Sequence, residues 1–178
     1  MLLMIQRFTP LLLLSVVFLA SCKQKREDII ARKWQETAIQ NAQMDEVMKS
    51  QQAFIDTVGS HTDAASNLQQ YGVTNIDSFK QMMQMNMDSF KAMQRRVVEK
   101  TQFDFQHNGV VYIHSEDGVD SASWYFEEDG ALMLDEQKLK GTGSQLRVEV
   151  VMLTDTLLNL RFRENNSTSN ALFKPAKK

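Results

Sequence analysis

From Thr101 to the C-terminus apolar and polar residues alternate, the period of two that sends successive side chains to opposite faces of a strand. Seven short strands are expected, near Gln102 to Gln106, Val110 to His114, Asp120 to Glu127, Ala131 to Asp135, Gln145 to Leu153, Thr156 to Arg163 and Thr168 to Lys174. Every connection is short, so neighbouring strands should run antiparallel. An eighth strand is expected upstream, about Lys33 to Gln40, with Trp34 near its start. Between it and the rest, from Asn41 to about Lys100, the period becomes helical. Ile76, Phe79, Met83, Met87, Phe90, Met93 and Val97 recur at spacings of three and four, lining one face of a long helix that Thr74-Asn75-Ile76-Asp77 can start. Met44, Val47, Met48, Phe54, Ile55 and Val58 mark a shorter helix before it, and the polar stretch Gly59 to Gly72 reads as a loop.

Turn chemistry tests the register. His107-Asn108-Gly109 and Glu128-Asp129-Gly130 each suit a three-residue hairpin with glycine in the left-handed position. The first then pairs Phe103 and Phe105 with Ile113 and Val111, and the second pairs Phe126 with Leu132 and Trp124 with Leu134, so both bring apolar residues to one face. A loop of the same length at Glu116-Asp117-Gly118 would instead turn Ser121, Ser123 and Tyr125 inward and Trp124 out. A loop one residue longer or shorter restores the pattern.

Eight strands, seven of them a simple meander, are what an up-and-down barrel needs, and closure removes the exposed edges. The expected fold is therefore mainly β: an eight-stranded antiparallel up-and-down barrel with a helical pair inserted after the first strand. A half-open sheet and a sandwich are the alternatives. Trp34 on a first strand, followed by a meander, resembles the lipocalin-like domains of small lipoproteins from Gram-negative bacteria. The resemblance runs from about Ile29 to Lys174, with residues of about 41–100 as the insertion. It departs from the lipocalin Gly-x-Trp signature, since Ala31-Arg32-Lys33-Trp34 stands there, and Arg161 or Arg163 would have to supply the cation that packs on the ring. It implies a domain over residues 29–178 that holds one small apolar ligand in its interior.

The N-terminus adds a compartment. Met1 to Ser21 carries one cation, Arg7, and an apolar run of 13 residues from Phe8 to Ala20, shorter than the roughly 20 a membrane-spanning helix needs. Residues 1–21 are expected to be a cleaved secretory signal. Leu19-Ala20-Ser21-Cys22 resembles the lipobox of bacterial lipoproteins, in which diacylglycerol alkylates the thiol and the freed amine is acylated, commonly with palmitate. Three chains on Cys22 would hold the protein at a membrane permanently. Lys23 follows in place of the aspartate that often signals inner-membrane retention, so the outer membrane is expected, with residues 22–28 as lipidated terminus and solvated tether. Cys22 is the only cysteine, which excludes an internal disulfide and a Cys-based zinc site.

Cleavage of 21 from 178 residues would leave 157, enough for one domain with a sizeable core. Its 19 basic and 22 acidic residues form no basic cluster able to neutralise a run of phosphates, which argues against nucleic acid. His61, His107 and His114 fall on a loop, a turn and a strand without metal-ligand spacing. No Gly-x-Ser-x-Gly and no Gly-rich loop opening a helix occurs, and Asp104, Glu116, Asp117, Asp120 and Glu149 fall on expected outer faces and turns. No base and nucleophile can be paired, so the chain is not read as an enzyme, and no cofactor is assigned. Of 11 methionines, Met82, Met83, Met85, Met87 and Met93 share one helix, a pattern of ordinary packing that also suits an adaptable binding surface.

Two functions remain open. In the first, an apolar ligand occupies the barrel interior against Phe103, Phe105, Ile113, Trp124, Phe126, Val148, Val150 and Phe162, with Val111, Leu132, Leu134, Met152, Leu158 and Leu160 on the same inner face. In the second, these side chains fill the barrel and the helical insertion docks another envelope protein.

Overall fold

The computed structural model describes residues 25–59, 63–164 and 167–177. The apolar leader, Cys22 and His61 lie outside the described residues. A short helix α1 (Arg26–Ile30) precedes strand β1 (Lys33–Gln40). The helices α2 (Ala42–Thr57), α3 (Ala64–Tyr71) and α4 (Ile76–Lys100) follow. The meander comprises β2 (Gln102–Phe105), β3 (Val110–Ser115), β4 (Gly118–Phe126), β5 (Leu132–Asp135), β6 (Gln145–Leu153), β7 (Leu158–Glu164) and β8 (Ser167–Pro175), with helix α5 (Glu136–Lys140) between β5 and β6. The eight strands form a closed antiparallel barrel in sequence order, β1 pairing with β8, so the expected architecture holds and neither an open sheet nor a sandwich forms.

The glycine hairpins keep the expected registers. Gly109 and Gly130 have φ of 81° and 84°, Phe103 pairs with Ile113, and Trp124 with Leu134. At the third hairpin Ser115 pairs with Gly118, so the loop is one residue shorter than its sister loops, and Ala122, Trp124 and Phe126 face inward. Glycine permits this tight turn because Gly118 has a φ of 137°.

Four expectations are corrected. Gly59 to Gly72 is not all loop: Asp63 caps α3 by accepting from the Ser66 amide at 2.8 Å, and Gly72 closes it in the left-handed region. The Tyr71 ring at its end packs between Phe54 and Phe79 at 6.1 and 6.2 Å, which gives the segment a partner that sequence spacing did not show. The link after β5 contains α5, capped by Asp135 and Gly141 and tied to β4 through Lys140 and Asp120. Met152 faces solvent instead of the interior, because a bulge between Val150 and Met152 inverts the alternation and brings Leu153 in. The segment expected as a solvated tether reaches the barrel, since Arg26 begins α1 and its guanidinium lies 4.4 Å from the Phe126 ring centroid.

The lower end of the barrel is plugged by α1. Ile30 and Trp34 are wholly buried there, and the Trp34 indole donates to the Ile30 carbonyl at 2.9 Å. The cation beside this ring comes from Arg32, at 5.6 Å, and not from Arg161 or Arg163, both of which pair with Glu149 at 2.8 Å. Arg161 and Arg163 alternate with inward Leu160 and Phe162, so the period of two carries them to the outer face. Above the plug, Phe103, Phe105, Trp124 and Phe126 form a ladder of edge-on rings, with successive centroids 5.6–6.2 Å apart.

The three large helices form an arm on one side. α4 meets β1 and β3, and α2 meets α4 and β8. The Asn41 side chain does two jobs: its oxygen caps α2 by accepting from the Met44 amide at 3.0 Å, and its nitrogen donates to the Ser167 and Ser169 hydroxyls. Of the apolar stripe on α4, Met87 is buried, whereas Met93 and Val97 near the helix's end stay exposed.

Candidate functional site

Interior residues divide into a filled lower part and an open upper part. Trp34, Phe105, Val111, Leu132, Val148, Leu158 and Leu160 are at most 1 % exposed and fill the lower part. Phe105 and Val148, two of the eight expected ligand contacts, belong to this core and touch no opening. Phe103 and Trp124 are nearly buried, while Ile113, Phe126, Val150 and Phe162 are partly buried against the core. The structure brings Phe103 and Phe162 to one opening and leaves Val150 on a separate polar groove with Arg26, Arg147, Arg161 and Arg163.

That opening is a cup of about 300 Å³ at the upper mouth, where α4 hands the chain to β2. Phe103, Phe162, Ala171 and Phe173 make its apolar wall, and Ile39 and Val97 form its rim. The volume is at the small end of ligand pockets, enough for a single ring or a short chain. Three backbone features place these side chains. The bulge between Glu36 and Ala38 bends β1 at the mouth, and the Thr37 hydroxyl donates to the Leu172 carbonyl at 3.0 Å. The alternation of β8 aims Ser169, Ala171 and Phe173 inward, and the last turn of α4 lies across the opening with Val97 and Thr101.

One acid lies in this apolar cup. Glu36 is 5 % exposed and lines the cavity beside Phe103 and Phe173. Its carboxyl is pushed from 4.5 up to about 7 by burial, which outweighs the opposite pull of the neighbouring Thr101 side chain. Among the described residues no cation pairs with it, in contrast to Asp104, Glu116, Asp120 and Glu149, which all hold ion pairs on the outside of the molecule.

The C-terminal end of α4 meets the same cup. The Thr101 hydroxyl donates to the Val97 carbonyl at 2.8 Å, and the Gln35 amide nitrogen reaches the carbonyls of Val98, Glu99 and Thr101 at 3.0–3.2 Å. Gln35 is held in turn by Gln102, whose amide donates to it at 2.6 Å. The partial negative end of a 25-residue helix is thereby fixed over a buried carboxyl.

Sequence reasoning found Phe103 and Phe162 but missed Phe173 and Ala171 of the wall, and Glu36, Ile39, Val97, Thr101 and Ser169 around it. A signal for Glu36 exists: the period that turns Trp34 inward turns Glu36 inward two residues later. Val97 was legible as part of a helix stripe, yet nothing local says that the stripe's last turn covers a barrel mouth. The histidines stay apart, His107 on a turn and His114 on β3, and among the described residues no group of three or more His, Cys, Asp and Glu side chains is placed to hold a metal ion. No protein-family model, curated protein or solved structure matches the chain.

Proposed function

We propose that this chain is a lipocalin-like binding protein, not a catalyst, which takes a small and largely apolar molecule into the cup at its barrel mouth. The observation that carries the reading is the cup itself: a concave apolar surface left uncovered above a filled and plugged barrel floor. Burial of a ligand against Phe103, Phe162 and Phe173 would drive binding at about 25 cal/mol for each square ångström removed from water. In this reading Cys22 carries the lipid that holds the domain at the outer membrane, and Arg26–Ile30 seats the barrel floor close behind that anchor.

Native mass spectrometry of the protein purified from its own membrane tests both parts. The expected spectrum shows residue 22 onward with a diacylglyceryl and an acyl mass, plus an adduct that solvent extraction removes. Ala171→Phe fills the cup and should abolish the adduct while circular dichroism stays that of the folded barrel. A wild-type protein that never carries an adduct and takes up no apolar probe would count against the binding reading.

A second reading draws on the helical arm. Val47, Leu68, Met82, Met85 and Met93 are each more than half exposed, an apolar display suited to another envelope protein. Charged replacements at Met82 and Met85 should abolish such a complex with the barrel intact.

A further inference from the structure

We propose that the cup selects an organic cation, an alkyl- or arylammonium whose apolar body lies on Phe103, Phe162 and Phe173 and whose nitrogen meets the Glu36 carboxylate. The inference rests on reading the cup as a ligand site and names the chemistry that the site takes. Two independent features point to positive charge. Glu36 is a buried acid with which no cation pairs among the described residues, and a lone carboxylate in an apolar setting is costly unless a cation joins it. The negative end of the α4 dipole lies at the same mouth, near Val97 and Thr101, and although its last carbonyls already accept from Gln35 and Thr101 it sets a potential there that disfavours an anion. A neutral hydrocarbon would leave the Glu36 carboxylate without a counter-charge, and an apolar acid would set a second negative charge beside it.

Charges facing the cup are few. Among its lining residues, drawn from β1, α4, β2, β7 and β8, Glu36 is the only titratable one. Lys91 and Arg95 line the neighbouring groove that shares Ile39 and Val97 with the cup and oppose a cation from outside it, whereas Asp45 in the same groove favours one. Where Glu36 holds its proton before binding, the ammonium displaces it: the O–H bond breaks, the proton passes to solvent, and the carboxylate pairs with the ligand. Binding should therefore strengthen as pH rises from about 6 to 8 and should release a proton near pH 7.

The full chain is titrated with 2-phenylethylammonium, 2-phenylethanol and phenylacetate, followed by amide shifts of Thr101, Phe103 and Ala171 and by calorimetry in buffers of different ionisation enthalpy. At pH 8 the ammonium should bind at least about tenfold more tightly than the alcohol, the worth of one hydrogen bond to a charged group. Phenylacetate should bind most weakly of the three. Glu36→Gln should remove the ammonium's advantage over the alcohol, and unchanged amide shifts of the barrel strands without ligand report that the variant is folded. Equal binding of alcohol and ammonium, or a preference that survives Glu36→Gln, overturns the cation proposal while the binding reading stands. Failure of both ammonium and alcohol to shift these amides overturns the binding reading and the cation proposal with it.

Discussion

The Trp34 indole donates a hydrogen bond to the carbonyl of Ile30, four residues earlier and 2.9 Å away, and this bond fastens the helix that plugs the barrel to the first strand of its wall. Both residues are wholly buried, so neither the donor nor the acceptor has water to fall back on. Trp34→Phe is expected to lower unfolding free energy by about 1–3 kcal/mol, from the unpaired carbonyl and the lost ring volume. Ile30→Ala should cost about 2–5 kcal/mol by leaving a cavity under the ring. Urea unfolding followed by Trp fluorescence measures both, and an Ile30→Ala cost under about 0.5 kcal/mol would show that α1 is not part of the core.

Glu36 sets a pH dependence whose sign follows from its raised value. Below about pH 4.5 it is protonated folded or unfolded; between about 4.5 and 7 the folded chain keeps a proton that the unfolded chain has lost. Its contribution to stability is therefore complete at the acid end and is lost as pH rises through about 7, at about 1.4 kcal/mol per unit across the window. Glu36→Gln should flatten that slope and leave the variant more stable than wild type above pH 7. Denaturant midpoints at pH 5 and 8 for both proteins give the comparison.

Gly59, just past the end of α2, packs against Ile76 at the start of α4 in a space that admits no side chain. A Cβ there would lie 2.2 Å from Ile76 Cγ1, and the backbone φ of 69° is itself unfavourable for other residues. Gly59→Ala should destabilise the helical arm by about 1–3 kcal/mol. Hydrogen exchange should then quicken in α2 and α4 while the barrel strands keep their protection.

The bulge in β6 predicts unequal tolerance at two neighbouring apolar positions. Met152 points to solvent and Val150 packs against the core, although simple alternation puts both inside. Met152→Lys should change stability by less than about 0.5 kcal/mol, and Val150→Lys should cost several times more because it drives a charge against the core. Thermal unfolding of the two variants checks the register directly.

The residues themselves determine more of this barrel than of its site. Strand count, order and most inward faces follow from a period of two punctuated by Asn-Gly and Asp-Gly turns, since a slip by one residue would expose every apolar side chain on a strand. The long helix follows from spacings of three and four, and Asn41 and Asn75 cap the first and last helices of the arm with their own side chains. These are local rules, and local rules can be read from a line of letters. The bulges at β1 and β6 and the arrival of α4's last turn over Glu36 depend on residues brought together from distant parts of the chain. Glu36 and Val97 stand 61 positions apart in the sequence and share one cavity in the fold. Only closure of the barrel removes the carboxyl from water and sets a helix end above it. That is why Phe103 and Phe162 of the cup's wall could be named in advance, whereas Ala171, Phe173 and the buried charge became apparent with the tertiary structure.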